Sequence, residues 1–262
     1  DVRDDFNINP AEVEKKITSN TKAIIAVHLT GRPASMDKIN EIAYKYNLVV
    51  IEDAAQAIGA EYKGKKVGGL GNLGCFSLHP LKNLAAAGDA GMITTDDESL
   101  YEWLLKARTH GMKSRDECEF WSLNSRLDAL QAAILNVKVK RLDEWTNRRR
   151  EIAFKYISAL SDYVKVPTDN SDIKSVYHTF IIQTEDRDEL QAYLAKRGID
   201  TKVHYPIAIH QQEAAKNIPS SSEAYPETER QINQILSLPV YPELSDDQVN
   251  YVIEKVTEFF KK

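Results

Sequence analysis

The chain has 262 residues, enough for one large or two medium domains, and a hydrophobic fraction of 42% gives it a substantial core. Its net charge is −5 with both signs spread along the chain, so no basic stripe offers a nucleic-acid interface. No apolar run approaches the length of a membrane span, and Cys75 and Cys118 lie far apart without metal or redox spacing, a pattern that fits a cytoplasmic protein with structural thiols.

The segment from Asp1 to Asn9 opens in mid-pattern, without a methionine. Asn9-Pro10 reads as a helix cap followed by proline at the first helical position, with the helix running to about Ser19. Lys22 to Leu29 reads as a buried strand. His28 near its end is open to two readings, a satisfied strand-end histidine or a site residue. Thr30 to Pro33 turns the chain, and Ser35 caps a helix to about Tyr46. Asn47 to Glu52 is an apolar, β-branched run ending in one carboxylate, with a second at Asp53 just after it, and it reads as a buried parallel strand. That places Asp53 at the carboxyl end of a strand, where open α/β sheets bind their ligands, with Gln56 three residues on. Taken alone, Asp53 reads more readily as a turn cap than as a site residue.

Gly69-Leu-Gly-Asn-Leu-Gly74 fits the dinucleotide pattern G-x-G-x-x-G but follows a basic turn and leads into a strand. The fingerprint requires the reverse context, so the segment reads as a flexible loop leading to Ser77. The strand from Cys75 is stopped by Pro80, and Ser77 and Lys82 stand five residues apart across the turn. A serine hydroxyl suits a phosphate, and a lysine whose pKa is lowered forms a Schiff base. With Asp53 to face a pyridine nitrogen, these residues match what pyridoxal phosphate chemistry needs: a Schiff-base lysine and an acid that keeps the ring an electron sink.

Gly91 to Thr95 reads as another short strand, and Asp96 or Asp97 caps a helix to about Thr109. Residues 110–121 are loop-like. The spacing of Leu127, Leu130, Ile134 and Val137 predicts a helix over Ser122 to Ile134, with Asn124 near its start. A long charged helix follows past Trp145 to about Leu160, and Arg148 to Arg150 read as its solvated face. Val176 to Thr184 and Ile199 to Val203 read as strands around a helix closed by Gly198. His204, Tyr205 and His210 follow, and the two histidines have no carboxylate at ligand spacing, so no metal site is expected. Ser245 and Gln248 form a capping box for a last helix to Phe260. The order of elements predicts an α/β chain: a large domain with a mainly parallel sheet over residues 1–145, and a small α+β domain over residues 146–262.

Three separated stretches, Glu52 to Ala60, Gly74 to Leu84 and Gly88 to Gly91, resemble the nucleotide-sugar aminotransferases of the DegT/DnrJ type, and the similarity extends over essentially the whole chain. The resemblance implies the aspartate aminotransferase fold, fold type I, with an α/β/α large domain, and pyridoxal 5'-phosphate as cofactor. It implies that Asp53 faces the pyridine nitrogen, Gln56 lies near the ring hydroxyl, Ser77 binds the phosphate, and Lys82 is the Schiff-base lysine and proton carrier. It places Asn124 across a homodimer interface at the neighbouring subunit's site. His28, His79, Arg126, His204, Tyr205 and His210 are the candidates on the substrate side. The implied reaction moves an amino group from an amino acid, glutamate, to a nucleotide-linked ketosugar. A cyclitol aminotransferase, a deoxysugar dehydratase and a binding protein are the alternatives, and relatives that replace the lysine with histidine are the dehydratases. The resemblance also implies an earlier segment of the large domain, ahead of Asp1, with further phosphate and ring contacts.

Overall fold

The computed structural model describes residues 1–218 and 223–261. Helix α1 (Pro10–Lys16) starts where expected, with the Asn9 side chain accepting from the Ala11 amide. Strand β1 (Ala23–Val27), helix α2 (Met36–Tyr46) and strand β2 (Val49–Asp53) form a parallel βαβ unit with Val27 opposite Asp53. Met36, Ile39 and Ala43 lie along one face of α2 and pack on Ile24, Ala26 and Val50. The other face of β1 is open: Ile25 is 59% exposed.

A short hairpin, β3 (Glu61–Tyr62) and β4 (Lys65–Lys66), leads to strand β5 (Leu73–Ser77), which runs parallel to β2 with Asp53 opposite Cys75. Strand β6 (Gly91–Thr94) returns antiparallel, with Ser77 opposite Gly91. The sheet order is β1-β2-β5-β6. The parallel pairs bring Asp53 and Ser77 out at one edge of the sheet.

Helix α3 (Glu98–Ala107) is capped by Asp97, whose side chain accepts from the Leu100 amide. The predicted helix over 122–134 begins later, as α4 (Ala129–Lys138). Upstream of it Asn124 bridges to Thr109 and the Ser125 amide donates to Arg108, so that backbone is committed to extended pairing and cannot turn helical.

Helix α5 (Leu142–Leu160) opens the second half. Strand β7 (Ile173–Lys174) pairs with β3, and β8 (Phe180–Gln183) pairs antiparallel with β9 (Ile235–Leu238). Between these last two strands lie α6 (Arg187–Ala195) and α7 (Pro226–Gln234), and α8 (Asp246–Phe260) closes the chain under the expected Ser245/Gln248 capping box. The expected strand over 199–203 is reduced to one bridge, Lys202 to Ser237. The run over 176–184 forms a strand only from Phe180, because the Val176 amide donates to the Gly31 carbonyl and the Thr179 amide to that of Thr30.

One apolar core, including Tyr156, Phe180, Leu190, Leu236 and Val249, draws only on residues from Ile152 onward. The other cores draw on residues between Ile8 and Leu142, with a single outsider among the described residues, Val176. No helix among the described residues is long and apolar enough to cross a membrane.

Candidate active site

The site is built on the carboxyl ends of β2 and β5. Ser77 and Lys82 line one broad cleft of about 1670 Å3, together with His79, Asn124 and Arg126. Asp53 stands on the neighbouring strand, close enough for its carboxylate to act on both Lys82 and Cys75. Burial holds the Lys82 ammonium below the usual lysine range, and Asp53 opposes that only in part. Burial, then the Asp53 charge, push the Cys75 thiol up. Asp53 Oδ1 accepts from the Ala55 amide at 3.1 Å, which fixes the carboxylate on its turn.

Gln56 reaches back across the sheet edge. Its Oε1 accepts from the Thr30 amide at 2.7 Å, so its amide nitrogen is the free end, and it donates to Tyr205 Oη at 3.4 Å. Tyr205, 54% exposed, is thereby brought to the Asp53 side of the site. His204, one residue before it, bonds through Nδ1 to Ser237 Oγ at 2.8 Å, and burial lowers its pKa. His79 is exposed, with Nδ1 accepting from the Leu81 amide, and Arg126 Nε donates to Asn124 Oδ1 at 3.1 Å.

Of the substrate-side candidates, His28 cannot belong in the site, and His210 lies outside the lining of the cleft, as His204 and Tyr205 also do. His28 is fully buried, 0% exposed, and cannot reach a substrate. Its Nδ1 accepts from the Ala34 amide, which places its proton on Nε2, and that proton is donated to Glu52 at 3.0 Å. His210 is held by Glu229 at 3.1 Å and packs on the Tyr225 ring, and it is not among the residues lining the cleft.

Glu52, the neighbour of Asp53, explains the glycine-rich loop. Its carboxylate accepts from the amides of Gly68, Leu70 and Gly71, each at 2.7 Å, besides the His28 N–H. The loop cradles an anion, as such loops do, but the anion is the protein's own. The expectation of a flexible loop is therefore corrected: it is pinned from within. Arg149 corrects the solvated-face reading of the arginine run. Its guanidinium donates to the carbonyls of Tyr177, His178 and Val240, and burial pushes its pKa down to about 10.

The residues that sequence reasoning passed over are Asn83 and His178. Asn83 is buried beside Lys82, with Nδ2 donating to the Val176 carbonyl at 3.2 Å and Oδ1 facing His178 Nδ1 at 3.2 Å. The motif around Lys82 included Asn83, but nothing near it in the chain signalled a partner 95 residues away.

An amine of lowered pKa facing a carboxylate at the carboxyl ends of parallel strands, with a serine hydroxyl in the same cleft, defines the class of pyridoxal phosphate-dependent transferases. The comparison with known families agrees, and the chain belongs to the DegT/DnrJ/EryC1/StrS aminotransferase family, whose model matches residues 1–257. Members of this family are pyridoxal phosphate-dependent sugar aminotransferases of fold type I. Among its relatives is the dTDP-3-amino-3,6-dideoxy-alpha-D-galactopyranose transaminase of Aneurinibacillus thermoaerophilus, 45% identical over 255 residues, covering 97% of this chain and 70% of that one. The "Pleiotropic regulatory protein" of Geobacillus stearothermophilus is 46% identical over 260 residues, covering 98% of this chain and 70% of the relative. In structure the chain is similar to S. venezuelae DesV, solved in complex with a ketimine intermediate, with a TM-score of 0.95, 39% identity, and 99% of this chain and 70% of that one covered.

Proposed function

We propose that this chain moves an amino group from an amino acid, glutamate, onto the keto carbon of a sugar carried by a nucleotide. The observation that carries the reading is the nearness of Lys82 and Asp53 at the sheet edge, where burial holds the lysine below its usual range. The residues present fit the cofactor: an amine, a carboxylate beside it and a hydroxyl within the same cleft. Pyridoxal phosphate, when bound, supplies an aldehyde that condenses with amines and a ring that accepts the electrons of a breaking Cα–H bond.

Each residue then has a task. With the cofactor bound, Lys82 would hold its aldehyde, and its amine, when free, would carry the substrate Cα proton between two carbons that flank one nitrogen. Asp53 keeps the ring nitrogen protonated, and the Gln56 amide donates to the ring hydroxyl. Ser77 donates to the phosphate. His79, Arg126, His204 and Tyr205 line the substrate side. We infer a homodimer in which Asn124 serves the neighbouring site. Support comes from its exposed position directly after Trp121 and Leu123, which are 93% and 78% exposed.

The test is the visible absorbance of the purified chain with pyridoxal phosphate, before and after glutamate. The expected result is a band that bleaches with glutamate and is absent in Lys82→Ala. A Lys82→Ala variant with undiminished band and turnover would overturn the reading. Asp53→Asn should keep the fold and lose about 100-fold or more in rate, the scale of one lost electrostatic group. A regulatory role, as the name of the Geobacillus relative states for that protein, predicts no bleaching by glutamate.

A further inference from the structure

Between β1 and α2 the chain makes a turn, residues 28–34, whose backbone polar groups are bound one by one. The carbonyls of Leu29, Thr30 and Gly31 accept from the amides of Arg32, Thr179 and Val176. Those of Arg32 and Pro33 accept from Asn7 Nδ2 at 3.2 and 3.4 Å, and Asn7 Oδ1 accepts from the Leu29 amide at 2.9 Å. The Ala34 amide closes the turn on His28 Nδ1 at 3.0 Å.

Asn7 joins both ends of this turn and is itself fixed. It is 1% exposed, its amide donates to Asp5 Oδ1 at 3.2 Å, and its carbonyl accepts from the Arg3 amide at 2.9 Å. Carbonyls can only accept and the Leu29 amide can only donate, so the Asn7 side chain has one orientation. Inside the turn Thr30 has φ of +63°, a left-handed conformation that a residue other than glycine keeps where its surroundings impose it.

The product of the turn is a single aimed N–H. The Thr30 amide donates to Gln56 Oε1 at 2.7 Å. The two ends of a carboxamide have nearly the same shape, but an N–H selects the oxygen. Gln56 is thereby held with Nε2 at the far end, where it donates to Tyr205 Oη at 3.4 Å. A reversed amide would set donor against donor at Thr30 and offer an oxygen where a donor now stands.

We propose that Asn7 is the positioning residue for Gln56: by bracing residues 29–33 it aims the Thr30 N–H at Oε1, and so presents the Gln56 side chain to a ligand as a donor only. A donor of fixed direction suits an oxygen that carries negative charge, such as the ring oxygen of pyridoxal phosphate. An amide free to flip would meet that oxygen with repulsion as readily as with a bond. The inference rests on the reading of Gln56 as the donor to that oxygen, but its first test needs no cofactor.

The test is amide hydrogen exchange of the chain without cofactor, followed residue by residue by NMR. The Thr30 amide should exchange about tenfold faster in Gln56→Leu, the scale of one lost hydrogen bond, and stay protected in Gln56→Glu, which restores an acceptor. Asn7→Ala should release Thr30 by the same factor, and adding Gln56→Leu to it should bring no further gain. An unchanged Thr30 in Asn7→Ala, additive effects in the double variant, or equal acceleration in distant α8, which would mean general loosening, overturns the proposal. Should Asn7→Ala fail to fold, the wild-type chain decides. Leu29, held by Asn7, and Thr30, held by Gln56, should open with one shared free energy, and unequal values overturn the coupling. With pyridoxal phosphate added, the pH midpoint of the visible band should move in the same direction in Asn7→Ala as in Gln56→Leu, and a shift in Gln56→Leu alone overturns the proposal. Failure of the aminotransferase reading shows separately, as an absorbance band unaffected by Lys82→Ala.

Discussion

Glu52 and Asp53 are consecutive carboxylates with opposite fates. Alternation along β2 turns Glu52 into the interior and Asp53 toward the site edge. Burial alone would raise the Glu52 pKa, but the His28 N–H and three loop amides outweigh it and hold the carboxyl below the usual range. A depressed folded pKa contributes stability that is present above the unfolded value, about 4.3, and is lost as pH falls through the folded one. Glu52→Gln should therefore cost about 2–4 kcal/mol at neutral pH, since one amide oxygen cannot serve four donors. It should also flatten the acid-side loss of stability, as urea midpoints at about pH 6 and about pH 3 would show; equal slopes in both proteins would argue against the assignment. Asp53 was legible in the chain because it follows the β-branched run Val49 to Ile51, and Ser77 and Lys82 because Pro80 stops a strand between them. Glu52 and His28 were not, because their partners are backbone amides and a side chain 24 residues away, and no local pattern marks them.

At the level of elements, long helices were read well and their functional edges poorly. Consecutive residues on a helix lie about 100° apart, so three arginines in a row cannot share one solvated face. Arg148 reaches Asp246 and the Leu244 carbonyl, Arg149 turns inward, and Arg150 takes the Ser175 carbonyl. Arg149→Ala should cost about 2–4 kcal/mol, because it leaves buried carbonyls without a donor, whereas exposed Arg141→Ala should change stability by about 0.5 kcal/mol or less; urea denaturation distinguishes them. In α8 the cap was readable from two residues, since the capping box is a local device. Ser245→Ala should cost about 1 kcal/mol, seen as a lower urea midpoint with an unchanged slope. Where Asn124 was expected in a helix, the competing bridge to Thr109 decided the matter, and the periodicity of Leu127 and Leu130 carried no trace of that bridge.

On the scale of the whole molecule, the two halves meet where Val176 enters the first half's packing and Asn83 reaches Val176. Gly31 makes that meeting possible. It has φ of +90°, and a Cβ on it would stand 2.8 Å from Val176 Cγ2. Gly31→Ala should therefore push the 175–179 segment away and weaken pyridoxal phosphate uptake more than a surface substitution of equal thermal cost. Titration of the absorbance band beside a melting curve would check this, and unchanged uptake would mean that the junction does not shape the cofactor site. The α/β order of the first half was plain from alternating strand and helix patterns. The junction was not, because it depends on residues that are ordinary in their own neighbourhoods.

The open face of β1 has a consequence for how the chain behaves in bulk. Ile25 and Val27 on β1 stand exposed, and so do Val49 on β2 and Met92 and Ile93 on β6. Against such sticky surface the colloid is protected mainly by mutual repulsion, and the charge available is only −5. Acidification that neutralises this charge, or salt that screens it, removes the protection while leaving each molecule folded. Turbidity on mild acidification should then report crowding of native chains, reversible on dilution, and should not be taken for unfolding.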